Sequence, residues 1–190
     1  VIEAVARAGF GQIAPWRVEV EGKDVDAISK HIKNAGLKLS GYCRSTYIPA
    51  VDAQTFRANI EANKRALDDA AILGAPAFVM VVGGLPAGSR NLTLAREQVQ
   101  DASAELREYG KSVGVRIALE PLHPAYAADR SVLTLLSEAL DMCDAIEPNS
   151  SNPWIGVAID CYHVWWDPAL TQGIARAGAA KRIFAFHVCD

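Results

Sequence analysis

Apolar residues in this chain fall into short unbroken runs, separated by longer stretches with a helical repeat. The runs are Leu37–Cys43, Ala77–Val82, Val115–Glu120, Ile155–Asp160 and Ile183–Val188, with a weaker one at Gly11–Trp16. They are rich in Val, Ile, Leu and Ala and do not alternate with polar residues. Strands look like this when both faces are buried, as in a parallel sheet. Between the runs, Val99, Ala102, Leu106, Tyr109 and Val113 step by three and four, which places them on one helical face. Val25, Ile28, Ile32 and Ala35 repeat the pattern, with Asp24 placed as an N-cap and Gly36 just past the end. Phe56, Ile60, Leu67 and Ala71 mark another helix, capped by Asp52, and Val132 to Ile146 a fourth with a wide apolar face.

Alternating strands and helices predict parallel strands joined by right-handed crossovers. The units recur at roughly 40 residues, near the spacing of a (β/α)8 barrel of about 250 residues. The expectation is therefore an α/β fold of the (β/α)8 TIM barrel type, a single domain over residues 1–190 with about six strands. The opening VIEAVARAGF reads as a helix already under way and the closing FAFHVCD as a strand. Both ends read as cuts through a barrel whose first and last strands lie before Val1 and after Asp190. An open doubly wound sheet is the alternative, but its G-x-G-x-x-G turn is missing.

About half of the residues, 51%, are apolar and 22% are charged, which is ordinary for a globular protein. A net charge of −3 gives no electrostatic reason to expect nucleic acid or an anionic membrane as partner. No apolar run approaches the roughly 20 residues that span a bilayer, and the opening residues lack the order of a signal peptide. Cys43, Cys143, Cys161 and Cys189 form no C-x-x-C pair. That spacing suggests neither a zinc ribbon nor a disulfide framework, so a reduced, cytoplasmic setting is the simpler expectation.

Three strands end in polar residues that a buried strand does not carry idly: IALEPLHP at Glu120, GVAIDCYH at Asp160 and FAFHVCD at His187. In a barrel the carboxyl ends of all strands open on one face, where active sites lie. Two carboxylates and an imidazole converging there make an O/O/N site for a divalent ion. Two carboxylates brought together are costly unless a cation or a shared proton offsets their repulsion. Taken singly, each acid reads as readily as an N-cap for the next helix.

The Glu of LEP, the Asp of a strand-ending ID-x-x-H and the His of FHV resemble the xylose isomerase-like barrel superfamily. Its members include sugar 3-epimerases, hydroxypyruvate isomerases, inosose dehydratases and endonuclease IV. The runs ALEPLHPAYAADRS and DCYHVWWDP are similar to the branch labelled sugar phosphate isomerase/epimerase. The resemblance implies that Glu120, Asp160 and His187 are metal ligands, with a fourth, a Glu, beyond Asp190. It also implies proton transfer beside a carbonyl polarised by the metal, with Glu120 moving the proton on one face. The metal would be Mn²⁺, Mg²⁺, Co²⁺ or Zn²⁺, all of which tolerate such a site.

Further candidates stand near the strand ends, some from the resemblance and some from position alone. His163 corresponds to a histidine that contacts a substrate oxygen in the epimerases and binds a second zinc in endonuclease IV, against the plainer reading of a histidine packed under a loop. His123 stands in the loop after Glu120 and is read either as a substitute for a sugar-gripping acid, with Tyr126 near that acid's place, or as structural. Trp16, Trp165 and Trp166 either wall the pocket or pack in the core. In Gly83–Arg90 (GGLPAGSR), exposed backbone N–H groups and Arg90 offer a phosphate or sugar-hydroxyl site, against the plainer reading of a flexible connector. Asp190 is placed to orient His187 or to touch substrate. The expected partner is a small sugar or sugar phosphate. A homo-oligomer fits the relatives' habit, though no self-complementary patch is legible.

Three rival functions remain. An inosose-type dehydratase, a lyase, would start with the same proton abstraction and then expel water. An endonuclease IV-like DNA repair nuclease needs several histidines from the early strands, and none lies between Leu37 and Gly84. A barrel that only binds sugar is the third.

Overall fold

A computed structural model describes residues 1–188. All six predicted runs carry strand pairing, but Leu37–Cys43 is two strands rather than one. Strand β1 (Gln12–Ile13) pairs in parallel with β2 (Lys38–Leu39). After Ser40 and Gly41 the chain resumes as β3 (Tyr42–Cys43) and pairs with β4 (Ala77–Met80) on the other side. A bridge between Trp16 and Cys43 continues the first pairing along the same edge. Beyond β4 come β5 (Arg116–Leu119), β6 (Ile155–Asp160) and β7 (Ile183–His187), all parallel and in chain order. A doubly wound sheet would reverse its order at a switch point. An unreversed order is that of a barrel wall, and this is part of a TIM-barrel-like α/β fold.

Helices α1 (Ile2–Arg7), α2 (Val25–Asn34), α3 (Ala53–Leu73), α4 (Leu92–Val113), α5 (Leu136–Ile146), α6 (Cys161–Val164) and α7 (Leu170–Ala179) connect the strands. The predicted caps hold. Asp24 accepts from Ala27 N–H at 2.9 Å and Asp52 from Thr55 N–H at 2.7 Å, while Gly36 takes φ of 75°. The helix expected from Val132 starts only at Leu136. Its first residues are drawn into strand-like pairing: Val132 N–H donates to Gly83 O at 2.9 Å and Leu122 N–H to Leu133 O at 3.0 Å. The Glu138 carboxylate then takes the N–H groups of Thr134 and Leu135, which fixes the start. None of the helices among the described residues is long and apolar enough to cross a membrane.

The continuous apolar runs conceal a division by size. Phe78, Met80, Ile117, Leu119, Val157 and Ile159 face outward and pack on helix residues such as Leu67, Val99, Leu106 and Leu140. Ala77, Val79, Ala118 and Ala158 face inward, with Cys43, Phe184 and Ala185 against them. Large residues thus seal the helix layer at about 2–3 kcal/mol per buried side chain, and small ones leave room inside the curve. Two-residue periodicity then decides which strand-end residues point inward: Glu120 continues the face of Ala118, Asp160 that of Ala158, and His187 that of Ala185.

Candidate functional site

The three strand-end residues meet. Glu120 and Asp160 are both buried, at 7% and 5% exposure, on the inner face, Glu120 just after β5 and Asp160 as the last residue of β6. His187 Nδ1 lies 3.3 Å from Glu120 Oε1 and 3.8 Å from Asp160 Oδ2. This meeting depends on a bulge. Val157 pairs with Ile183, but Ala158 pairs with Ala185, so one residue of β7 is passed over and Asp160 comes level with His187. Without the extra residue Asp160 would face Phe186, and His187 would point to the wrong side.

Asp160 does two things. It caps α6, its Oδ1 accepting from Tyr162 N–H at 2.8 Å, while Oδ2 is turned toward His187. The capping alternative holds for Asp160, and the cap orients the carboxylate. Glu120 is anchored by its backbone, N–H to Met80 O at 3.0 Å.

The two histidines of the cavity differ. His187 sits beside the Cys43 side chain and the Glu120 carboxylate, and these partners raise its pKa from 6.5 to about 10 against the cost of burial. Without an ion it is an imidazolium between two carboxylates. His163 is lowered, first by burial, although Glu120 and Asp160 oppose that effect. Its Nδ1 accepts from His123 N–H at 3.4 Å, which leaves the proton of the neutral ring on Nε2.

Glu120, Asp160 and His163 each bring one ligand atom within 4.8 Å of one another, and His187 Nδ1 lies within 3.8 Å of both acids. Two buried carboxylates with an imidazole at this spacing fit a divalent cation. A ligand histidine normally donates its second N–H outward. His163 uses its second nitrogen as an acceptor, so His187 fits the third position better and His163 fits that of a donor.

A cavity of about 630 Å³ opens over these groups. Trp16 and Tyr126 line it, with Tyr126 Oη 3.1 Å from Tyr162 Oη. His123 and Trp165 do not line it. His123 accepts from Ala125 N–H at 3.2 Å and stacks on Trp165, which is 70% exposed. Arg90 lies exposed on the surface and is not among the lining residues. Gly83 and Gly84 are buried for a packing reason, whereas Gly88 is exposed with a φ of 79°. A Cβ at Gly84 would strike the backbone of Ala128 and Asp129, and Gly83 N–H donates to Arg130 O at 2.9 Å. The Gly83–Arg90 loop therefore holds the neighbouring loop, and none of its residues lines the cavity. Asp190 and Cys189 lie outside the described residues.

Arg44, Tyr47, Arg130, Tyr162 and Phe186 also line the cavity, and the sequence reading missed them. Arg44 directly follows β3, so the rule that found Glu120 would have reached it, had a cation been sought as well as ligands.

The sequence matches the xylose isomerase-like TIM barrel family over residues 2–190. The chain belongs to that family. A crystal structure of protein SMc04130 from Sinorhizobium meliloti 1021 is 44% identical, with a TM-score of 0.93, and the match covers 100% of this chain and 67% of that one. D-psicose 3-epimerase, solved in the presence of D-fructose, is 17% identical with a TM-score of 0.84, over 100% of this chain and 66% of that one. The IolI protein, solved with a zinc atom, is 17% identical with a TM-score of 0.79, again over 100% and 66%. The last two share the fold alone. The chain spans about two thirds of the length of these structures. No curated protein matches the sequence significantly.

Proposed function

We propose that the protein is a metal-dependent sugar or sugar phosphate isomerase or epimerase, and that this chain carries the larger part of its active site. The convergence of Glu120, Asp160 and His187 at the floor of one open cavity carries the reading. Glu120, Asp160 and His187 would hold a divalent cation, Mn²⁺, Mg²⁺, Co²⁺ or Zn²⁺. When bound, such an ion keeps the carboxylates ionised and acidifies the C–H beside a substrate carbonyl.

The side chains themselves then divide the work. Glu120 accepts the proton on one face of that carbon, because its carboxylate is buried, aimed and close to the floor. His163 donates Nε2–H to a substrate oxygen. Trp16 and Tyr126 wall the cavity and restrict water. An inosose-type dehydratase would share the first step. The histidine supply opposes a trinuclear nuclease: the cavity has His163 and His187, while His31 is exposed on α2 and paired with Glu3 at 3.0 Å.

The test is turnover of a panel of ketoses and inososes by the full-length protein loaded with Mn²⁺, with the products identified. Glu120→Gln should lower kcat about a hundredfold or more. Unchanged turnover of a saturating ketose by that variant would remove Glu120 from the mechanism. Water loss from an inosose without epimer formation would make the protein a lyase.

A further inference from the structure

We propose that Arg44 anchors an oxyanion on the substrate, so that the cavity takes a sugar phosphate or a sugar acid in preference to a neutral sugar. The proposal rests on the isomerase reading for the identity of the cavity as the substrate site.

The first observation is backbone geometry. Arg44 has φ of 84°, in the left-handed region that a side chain with a Cβ rarely adopts. The conformation is held from both sides. Arg44 N–H donates to Val79 O at 3.1 Å, and Ser45 Oγ donates to Val81 O at 2.7 Å. Thr46 N–H donates to Asn63 Oδ1 at 2.8 Å while Asn63 Nδ2 returns a bond to Thr46 O at 2.9 Å. Asn63 is fully buried. A glycine would meet this geometry without strain. Strain kept at a residue that lines the cavity points to a use for its side chain.

The second observation is the guanidinium itself. It lies over the Trp16 ring, 5.2 Å from the centroid, and donates to Tyr47 Oη at 3.4 Å. No described carboxylate pairs with it, whereas Arg96 pairs with Glu138, Arg176 with Asp144 and Arg182 with Asp144. Stacking occupies the flat face and leaves N–H groups at the edge, the arrangement that grips phosphate or carboxylate in two-point fashion. Arg130 lines the same cavity, but it lies over Tyr126 and its Nε is 3.7 Å from Asp129, so its charge is partly answered already.

Inorganic phosphate is the probe, titrated into full-length protein and followed by phosphorus NMR, with metal-free protein prepared by chelation alongside the Mg²⁺-loaded form. Phosphate should bind both forms. Arg44→Gln should weaken it about tenfold or more, and Arg44→Lys should restore part of the loss. Arg44→Gly removes the strain with the charge, so it should melt no lower than the parent and still fail to bind. Glycerol phosphate and glycerate, each added as a competitor that displaces the bound phosphate in the same assay, decide between a phosphate and a carboxylate. Phosphate binding that vanishes on chelation, or that Arg44→Gln and Arg44→Gly leave intact, overturns the proposal. Turnover of neutral ketoses without phosphate binding overturns it too, and leaves the isomerase reading standing. Phosphate binding without turnover of any ketose or keto acid supports the anion site and removes the isomerase reading.

Discussion

The ends of β6 and β7 each bring an imidazole to the same two carboxylates, yet they treat it in opposite ways. At the end of β7, His187 faces the Cys43 side chain and Glu120 directly, and its pKa rises to about 10. One loop away, His163 lies near the same acids but is buried and accepts a backbone N–H, and its pKa falls. Nearness to negative charge therefore does not by itself settle the protonation of a histidine. Direct contact with the Cys43 side chain and the Glu120 carboxylate outweighs burial at His187, and burial outweighs the charge of the acids at His163. The first ring holds a place that a cation could take. The second keeps a neutral ring with an N–H to offer.

The largest expected effect breaks this pair apart. His187→Gln should weaken Mn²⁺ binding to the full-length protein by about a hundredfold or more, in the range seen when ligand or supporting groups are lost. His163→Gln should change that affinity by less than about threefold while lowering turnover. Calorimetric titration of both variants measures it. If His163→Gln abolishes binding and His187→Gln does not, the two rings exchange roles.

A second effect tests the bulge that makes the comparison possible. A Cβ at Gly156 would collide with the Arg182 carbonyl and the Phe184 ring, next to the shifted register between β6 and β7. Gly156→Ala should cost about 3 kcal/mol or more by urea unfolding, as overpacking against backbone does. It should also weaken Mn²⁺ binding, because β7 carries His187. A variant of parental stability and affinity would mean that the strands tolerate separation there.

Much of this was legible in the sequence. The strand-end positions of Glu120, Asp160 and His187 follow from the apolar runs, and parity along each strand does the rest. Their level alignment was not legible, since it depends on a bulge between Val157 and Ala158 that leaves no mark in composition. The break between β2 and β3 was hidden for a similar reason: Leu37–Cys43 is one apolar run that changes partner midway. The Gly83–Arg90 loop misled because glycine serves close packing as readily as anion binding, and only the approach of Ala128 and Asp129 decides between them. Asp24, Asp52 and Gly36 were plain because caps are local.

The smallest effect per unit of pH is also the most direct reading of the contrast. In metal-free protein, His187 keeps its proton between the unfolded value of 6.5 and about 10 while the unfolded chain has lost it. Its contribution to stability is thus complete below pH 6.5 and is lost as pH rises through that window, at no more than about 1.4 kcal/mol per pH unit. His163 has the opposite sign. Its folded pKa lies below 6.5, so its contribution is present above that pH and is lost as pH falls, when the unfolded chain takes up a proton that the folded one refuses. Urea unfolding of the metal-free parent, His187→Gln and His163→Gln from pH 5 to pH 10 separates the two. The parent's advantage over His187→Gln should shrink toward the alkaline end, and its advantage over His163→Gln toward the acid end. Parallel curves for all three would mean that neither ring is perturbed in the folded protein, and the division between ligand and donor would lose its electrostatic basis.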